Sequence, residues 1–426
     1  MERSANTEAI SHLTRGLELL ETMPDSMERR QQELVLQTAL GPALMATKGF
    51  AAPEVERAYA RARLLCQQVG ETAQLFPVLW GLRAFYAQRA EFQMARELAE
   101  QLLRLAQRTQ DPALLVEAHR ALGVTLLWLG ELVLAQAHLE QGIILYDSKQ
   151  HRSLAFRYGE DPGVICRIYA AHLLWFFGYP DQALEKIREA LTLAYELAHP
   201  FTLAYALYFT AALHYFRREE RLTQEHAEAT ITLSTKQGFA FFVARGTMLR
   251  GWALAAQGQG AEGMAQMRQG LAAWQATGTE MGRPYALAQL ADACRKGGQA
   301  GEGLSLLAEA PAIVRHTGER WWEAELYRLQ GELLLGARGQ GSAVGVEQAS
   351  AAEACFRQAL DVARRQQAKS LELRAAMSLA RLWQRQGQRA EARELLAPVY
   401  GWFTEGFDTA DLQEARALLD AFGEDP

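Results

Sequence analysis

Small, bulky and polar positions recur along this chain at helical spacing. A small residue is followed after twelve positions by a second small one, then by a bulky residue four later and another small one three after that. Gly123, Ala135, Leu139 and Gly142 follow this pattern, as do Ala171, Ala183, Ile187 and Ala190. The first small residue sits in one helix of an antiparallel pair (helix A), and the second opens its partner (helix B). The helix A anchor recurs at Arg83, Gly123, Ala171, Ala211, Gly251, Ala291, Gly331 and Ala380, at intervals of 40, 48, 40, 40, 40, 40 and 49 residues. Two insertions, Asp147 to Pro162 and Gly336 to Gln348, account for the long intervals. The helix B anchors are Ala95, Ala135, Ala183, Thr223, Gly263, Gly303, Ala352 and Ala392. All are small, as two closely crossing helices require. The bulky position holds Leu139, Ile187, Met267, Leu307, Phe356 or Leu396, and Ala99 and Ala227 depart from it.

The pattern predicts an all-α, tetratricopeptide-like helical-repeat superhelix, an α-solenoid with a period of about 40. That is longer than the roughly 34 residues of the standard repeat. One pair cannot bury its apolar face alone, so neighbours stack and a single core runs the length of the array. The expected organisation is one solenoid over residues 1–426: incomplete or atypical repeats over 1–70, regular repeats over 71–400, and a capping helix with a polar tail over 401–426. Ala9, Leu13 and Gly16 match helix B, but too few residues precede them for a helix A, so the start reads as a cut edge. A further pair has Gly41 in helix A and a helix B from about Pro53 to Val69. Gly70, Gly238, Gly278 and Gly318 stand where helix B ends, because a C-terminal cap favours the left-handed conformation. Asp408, Thr409 and Asp411 suggest a capped last helix ending near Phe422. The expected shape is extended, with far more surface than a sphere of this mass.

Composition narrows the function. The net charge of −6 argues against a general nucleic-acid binder, which carries a basic surplus. The 4 cysteines are isolated from one another and read as buried small hydrophobes. No secretory leader opens the chain, and no apolar run reaches the roughly 18 residues that suggest a membrane span. The cytoplasm is the expected location. No phosphate loop of the G-x-x-x-x-G-K-[ST] form occurs. Gly258, Gly260 and Gly263 do spell G-x-G-x-x-G, but they fall on a helix A to helix B turn with no preceding strand. The 9 histidines are scattered and no H-E-x-x-H occurs. No catalytic residue, metal site or cofactor is therefore assigned.

Helix A should line the concave wall of the solenoid. Wall-facing positions lie six and three before the anchor, and one, four and five after it, on one stripe of a 3.6-residue helix. From this stripe the candidate groove residues are Trp128, His172, Trp175, Tyr205, Tyr208, Tyr215, Arg245, Trp252, Tyr285, Asp292, Arg295 and Arg328. Trp175, Tyr208, Tyr215 and Trp252 would form an aromatic floor, with Arg245, Arg295 and Arg328 as anion-holding groups. Aromatics and arginines dominate the energy of interfaces. The competing reading is that these aromatics pack between repeats or fill a tight superhelix. Trp321–Trp322 and Trp402–Phe403, near helix ends, read as inter-repeat core.

Several stretches carry a resemblance: ANTEAISHLTRGLELL, KGFAAPEVERAYARARLLC, HRALGVTLLWLGEL, HRSLAFRYGEDPGV, GWALAAQGQGAEG, AKSLELRAAMSLARLWQRQGQRAEARELL and YGWFTEGFDTADLQEARALL. The chain resembles the C-terminal tetratricopeptide region of bacterial adenylate/guanylate cyclase–STAND (AAA+) ATPase signalling proteins. The resemblance implies a non-catalytic regulatory sensor or scaffold with cyclase and ATPase domains upstream. Its partner would be a protein, a peptide or a small ligand held in the concave groove, with neither nucleic acid nor membrane involved. The alternative is a free-standing peptide- or protein-binding tetratricopeptide adaptor.

Overall fold

The computed structural model describes residues 2–70, 72–336 and 345–423, and these form helices without a strand. In chain order they are α1 (Glu2–Glu21), α2 (Met27–Lys48), α3 (Pro53–Val69), α4 (Leu75–Gln88), α5 (Phe92–Thr109), α6 (Pro112–Trp128), α7 (Leu132–Leu145), α8 (Ser148–His151), α9 (Leu154–Tyr158), α10 (Pro162–Phe176), α11 (Pro180–Leu197) and α12 (Pro200–Phe216). There follow α13 (Glu220–Gln237), α14 (Ala240–Ala256), α15 (Gly260–Ala276), α16 (Arg283–Lys296), α17 (Ala300–Ala308), α18 (Ala310–Thr317), α19 (Glu323–Gly336), α20 (Val346–Gln366), α21 (Lys369–Arg385), α22 (Arg389–Tyr400) and α23 (Ala410–Gly423). The helices pack as successive antiparallel pairs in a tetratricopeptide-like solenoid.

Local chemistry starts and stops these helices where the repeat requires. Asp111 accepts from the Ala113 and Leu114 N–H groups ahead of Pro112, and Asp161 accepts from the Val164 N–H ahead of Pro162. Proline at the first helical position costs no hydrogen bond, because that N–H has no intrahelical partner. The anchors are small for the expected reason. A Cβ on Gly251 would lie 2.6 Å from the Gly263 carbonyl, and one on Gly263 would strike the Gly251 carbonyl in return. Helix B of the repeat anchored at Gly303 is split into α17 and α18. The break falls where Pro311 cannot donate a backbone hydrogen bond.

The first insertion is ordered structure. Asp147 caps α8, and α9 drives Tyr158 against Phe76 and Trp80 at ring distances of 6.3 and 5.1 Å. The second insertion lies mostly outside the described residues, which resume at Gly345. The last helix forms where expected, but Asp411 in its first turn bonds Arg374 at 2.8 Å and Arg218 at 3.2 Å, so it ties α23 back to distant helices. Of the polar tail, residues 424–426 lie outside the described residues.

The array winds back onto itself. The Gln88 carbonyl at the end of α4 accepts from the N–H groups of Glu280 and Met281 at 2.9 and 3.1 Å. The Trp128 carbonyl at the end of α6 accepts from the Arg320 N–H at 2.9 Å. The Trp175 carbonyl in α10 accepts from the Ser370 hydroxyl at 2.5 Å, and the Phe216 carbonyl at the end of α12 from the Arg374 guanidinium at 2.5 Å. In the first three cases the donor opens helix A five repeats later. This corrects the expectation of an extended shape. The accessible surface is 18675 Å², about 15% above the ~16,300 Å² of a compact monomer of this mass. It also places Trp321, Trp322, Trp402 and Phe403 between turns of the superhelix. Trp321 packs on Trp128 at 5.0 Å and Trp402 on Tyr179 at 5.4 Å.

Most helix B termini carry a residue with positive φ. Gly238 and Gly318 supply it at φ 78° and 75°, but forty residues before Gly238 the same place holds the exposed Ala198 at φ 53°. An L-residue there costs about 1–2 kcal/mol, partly offset by the greater freedom glycine loses on folding. Ala198→Gly should therefore raise stability by about 0.5–1 kcal/mol in urea unfolding; a loss would show that another constraint governs the turn.

Candidate ligand chamber on the superhelix axis

The wall-facing stripe points inward as its spacing predicts, but over much of its length there is no open groove. Trp175 is only 2% exposed. Its ring lies 4.9 Å from Phe216, 6.2 Å from Trp322 and 5.0 Å from the Arg374 guanidinium. Tyr215 is buried against Trp252 at 4.7 Å and Tyr285 at 5.9 Å. His172 is buried, with Nε2 bonded to the Phe209 carbonyl at 2.9 Å, and burial pushes its pKa down to about 4 despite that bond. Tyr208 is buried beneath Arg245. The expected aromatic floor of Trp175, Tyr208, Tyr215 and Trp252 is thus packed interior. Trp321 and Trp322 from the next turn of the superhelix fill the axis that an isolated row of repeats would leave open.

The expected anion holders are also engaged internally. Arg245 is enclosed by the rings of Tyr208, Phe241 and Trp274 at 4.7, 4.8 and 4.2 Å. Arg295 pairs with Asp292 at 2.8 Å and Arg328 with Glu325 at 2.7 Å, each three residues apart on one helix. Burial raises the Asp292 pKa, but Lys296, Arg295 and Arg328 outweigh it and hold the carboxyl well below the usual range. Arg295, Arg328 and their carboxylates satisfy one another, which corrects the expectation that these two arginines await an anion, whereas Arg245 is covered by rings and has no carboxylate partner among the described residues.

Two of the expected residues, Trp128 and Tyr205, line a real chamber. It has a volume of about 250 Å³ and lies between α4, α6, α10, α12 and the turns before α3, α14 and α16. Its apolar wall includes Met45, Phe50, Ile165, Phe201, Phe241 and Met281. The ring of Phe50 comes within 5.9 Å of Phe201, so the α2–α3 turn helps close the chamber, and the exposed Lys48 stands at its rim beside Glu54 at 2.7 Å. The Tyr205 hydroxyl meets that of Tyr169 at 2.6 Å.

The polar wall holds Arg83, Arg120 and Glu160. Arg120 binds Glu117 on its own helix at 2.8 Å and Glu160 from the first insertion at 2.5 Å. Among the described residues Arg83 bonds only neutral groups: the Thr125 hydroxyl at 3.0 and 3.2 Å and the Ala121 carbonyl at 2.9 Å. Burial, with Arg120 alongside, pushes its pKa down to about 10. The stripe rule missed Arg83, because it stands at the anchor and not at a wall-facing position. A signal was present: it is the one helix A anchor that is neither glycine nor alanine. Ala99 takes the place that holds Leu139 one repeat on. A Cβ on Gly123 would meet Leu139 at 2.8 Å, so by repeat equivalence the small Ala99 makes room for a long side chain at residue 83.

Two measurements test this account of the axis. Trp175→Ala should cost about 3–5 kcal/mol of stability, the loss typical of a truncated core aromatic; a melt within a degree or two of wild type would restore the open floor. Glu319 gives a pH test. It is buried and accepts from the Gly282 N–H at 2.9 Å and the Trp321 indole at 3.0 Å; burial pushes its carboxyl up to about 7 against those bonds. The folded value exceeds the unfolded value of about 4.3. This site's stabilising contribution is therefore full below the unfolded value and is lost as pH rises through the folded one. Relative to wild type, Glu319→Gln should gain stability from about pH 5 to 8, by up to ~3 kcal/mol. Urea unfolding at both pH values checks this, and a pH-independent difference would contradict it.

No family model matches the chain. A curated protein of Rhizobium meliloti (strain 1021), described as uncharacterized, is 25% identical over 384 residues, which cover 89% of this chain and 36% of that protein. The chain thus spans little more than a third of that relative's length. Among solved structures, the APC/C hetero-tetramer Cut9–Hcn1 is similar with a TM-score of 0.51 and 11% identity, over 94% of this chain and 67% of that one. A STAND protein with a tetratricopeptide repeat sensor from Pyrococcus horikoshii is similar with a TM-score of 0.45 and 12% identity, over 92% and 55%. The likeness to Cut9–Hcn1 extends to the fold: this chain is a helical-repeat solenoid of the tetratricopeptide kind.

Proposed function

We propose that the chain is a non-catalytic binding module whose ligand site is the axial chamber, and that it serves as the C-terminal sensor of a cyclase–STAND ATPase signalling protein. The observation that carries the binding reading is the chamber itself. Around Trp175, Tyr215 and Trp252 the axis is filled with side chains, whereas here apolar rings and a few convergent polar groups surround about 250 Å³ of space, the usual make-up of a small-ligand site. The parent architecture is supported by the stretches that resemble cyclase–ATPase tails and by the much longer relative, of which this chain matches 36%. Upstream domains would sit against the first helices, which expose Leu19, Met23, Met27, Val35 and Leu64. The likeness to a component of a hetero-tetramer accords with a protein partner at such a surface. Among the described residues there is no group of three metal-ligating side chains, and no helix is long and apolar enough to cross a membrane.

In this reading the superhelical turns close around the ligand. Glu280 and Met281, which bond Gln88, also join the chamber wall to the repeat that closes it. Occupancy would be felt at the contact between superhelical turns and passed along the stacked helices. The purified chain should hydrolyse no ATP and form no cyclic nucleotide. Native mass spectrometry of the chain isolated from its own host should show a mass beyond the polypeptide, from a bound ligand or partner. Nucleotide turnover that survives purification and falls with point variants would overturn the non-catalytic reading. A bare polypeptide mass in every preparation would overturn the binding reading.

A further inference from the structure

The chamber's charge balance goes further than its shape. Arg83 is 5% exposed, lines the space, and pairs with no carboxylate among the described residues. A buried guanidinium held only by neutral acceptors is costly unless a counter-charge arrives. The neighbouring Arg120 does not share that deficit, because Glu117 and Glu160 both bind it. Other donors are in surplus around the same space. The Trp128 indole N–H is buried without a partner among the described residues. The Tyr169 and Tyr205 hydroxyls contact each other, which uses one of their two protons and leaves the other to donate. The apolar wall, with Phe201 and Phe241, suits a flat hydrocarbon body.

We propose that the chamber binds a compact aromatic monocarboxylate, with Arg83 pairing the acid group and the ring lying among Phe201, Tyr205 and Phe241. The proposal rests on the binding-module reading above and names the ligand class of that same site. Size sets one bound: about 250 Å³ equals about eight water volumes, room for a phenyl or indole group with a short acid arm. Charge sets the other. Arg83 has no carboxylate in direct contact among the described residues, and Glu160 on the same wall repels a dianion more strongly than a monoanion, so a carboxylate fits better than a phosphate. The same chemistry is offered by a free acid and by the C-terminal residue of a peptide.

The test titrates the full chain with phenylacetate, indole-3-acetate and their neutral amides, and with the tripeptide Ala-Ala-Phe, by calorimetry and ligand-observed NMR. The acids should bind about tenfold to a hundredfold more tightly than the amides, as expected for a charge-assisted hydrogen bond. Arg83→Met should abolish that preference, and Arg83→Lys should retain part of it. Phe201→Trp, which adds bulk to the α12 wall of the chamber and leaves Arg83 on α4 in place, should block acid binding even if Arg83→Met fails to fold. Tighter binding of the free acids identifies a small metabolite as the source, and tighter binding of Ala-Ala-Phe identifies a peptide terminus. Amides that bind as well as acids, acids that bind Phe201→Trp unchanged, or no acid binding at millimolar concentration would each overturn the proposal. If native mass spectrometry still shows a bound species in that last case, the ligand class has failed and the binding module stands.

Discussion

The last carbonyls of an α-helix have no partner within the helix. In this protein the helix A carbonyls that face the axis find theirs on the next superhelical turn. Gln88, Trp128 and Phe216, and Trp175 beside a local bond from the Gly178 N–H, each accept from a donor between 158 and 195 residues further along the chain. The opposite end of a helix obeys the same logic. The Glu405 carboxylate accepts from the N–H groups of Asp181 and Gln182 at the start of α11, at 2.9 and 3.0 Å. Satisfying helix ends across turns ties a row of local pairs into a closed coil.

Closure determines what the inner wall can do. In an open solenoid the aromatic stripe would face solvent and await a partner. Here Trp321 and Trp322 come down onto it, and Trp175, Tyr215, Trp252 and Tyr285 become core. Charged wall residues brought into the same interior must be matched, and pairs three residues apart on one helix do so for Arg295 and Arg328. Filling stops near α4 and α6, where the wall carries the small Ala84, Ala87 and Val124, and the α2–α3 turn covers the space. The chamber exists because closure and small side chains coincide there.

The first insertion shows how a departure from the repeat serves the site. It supplies Tyr158, which packs on Trp80, and Glu160, which reaches Arg120. Its eight or so extra residues lengthen the interval between anchors without breaking the stack, because Tyr158 of α9 packs against Phe76 and Trp80 of α4. Arg83 and Ala99 are a second departure, a large residue and a small one exchanged between facing positions. Both irregularities border the chamber.

Much of the fold was legible in the residues. The forty-residue period, the small anchors, the Pro53–Val69 helix and the turn at Gly258 follow from local rules: close helix crossings exclude side chains, and caps and turns select their residues. The inward direction of the stripe was legible too, being a property of one helix. Whether that stripe meets solvent or another turn was not, because it depends on contacts between residues almost two hundred positions apart. Those contacts follow from the small angle added at each repeat, which no single repeat encodes. Trp175 and Arg245 were therefore placed on the correct face, but the tertiary structure made them interior. It also turned Arg83, an irregular anchor in the sequence, into a buried cation facing a chamber, because that chamber lies between α4, α6, α10, α12 and the turn before α16, which only the coil brings together.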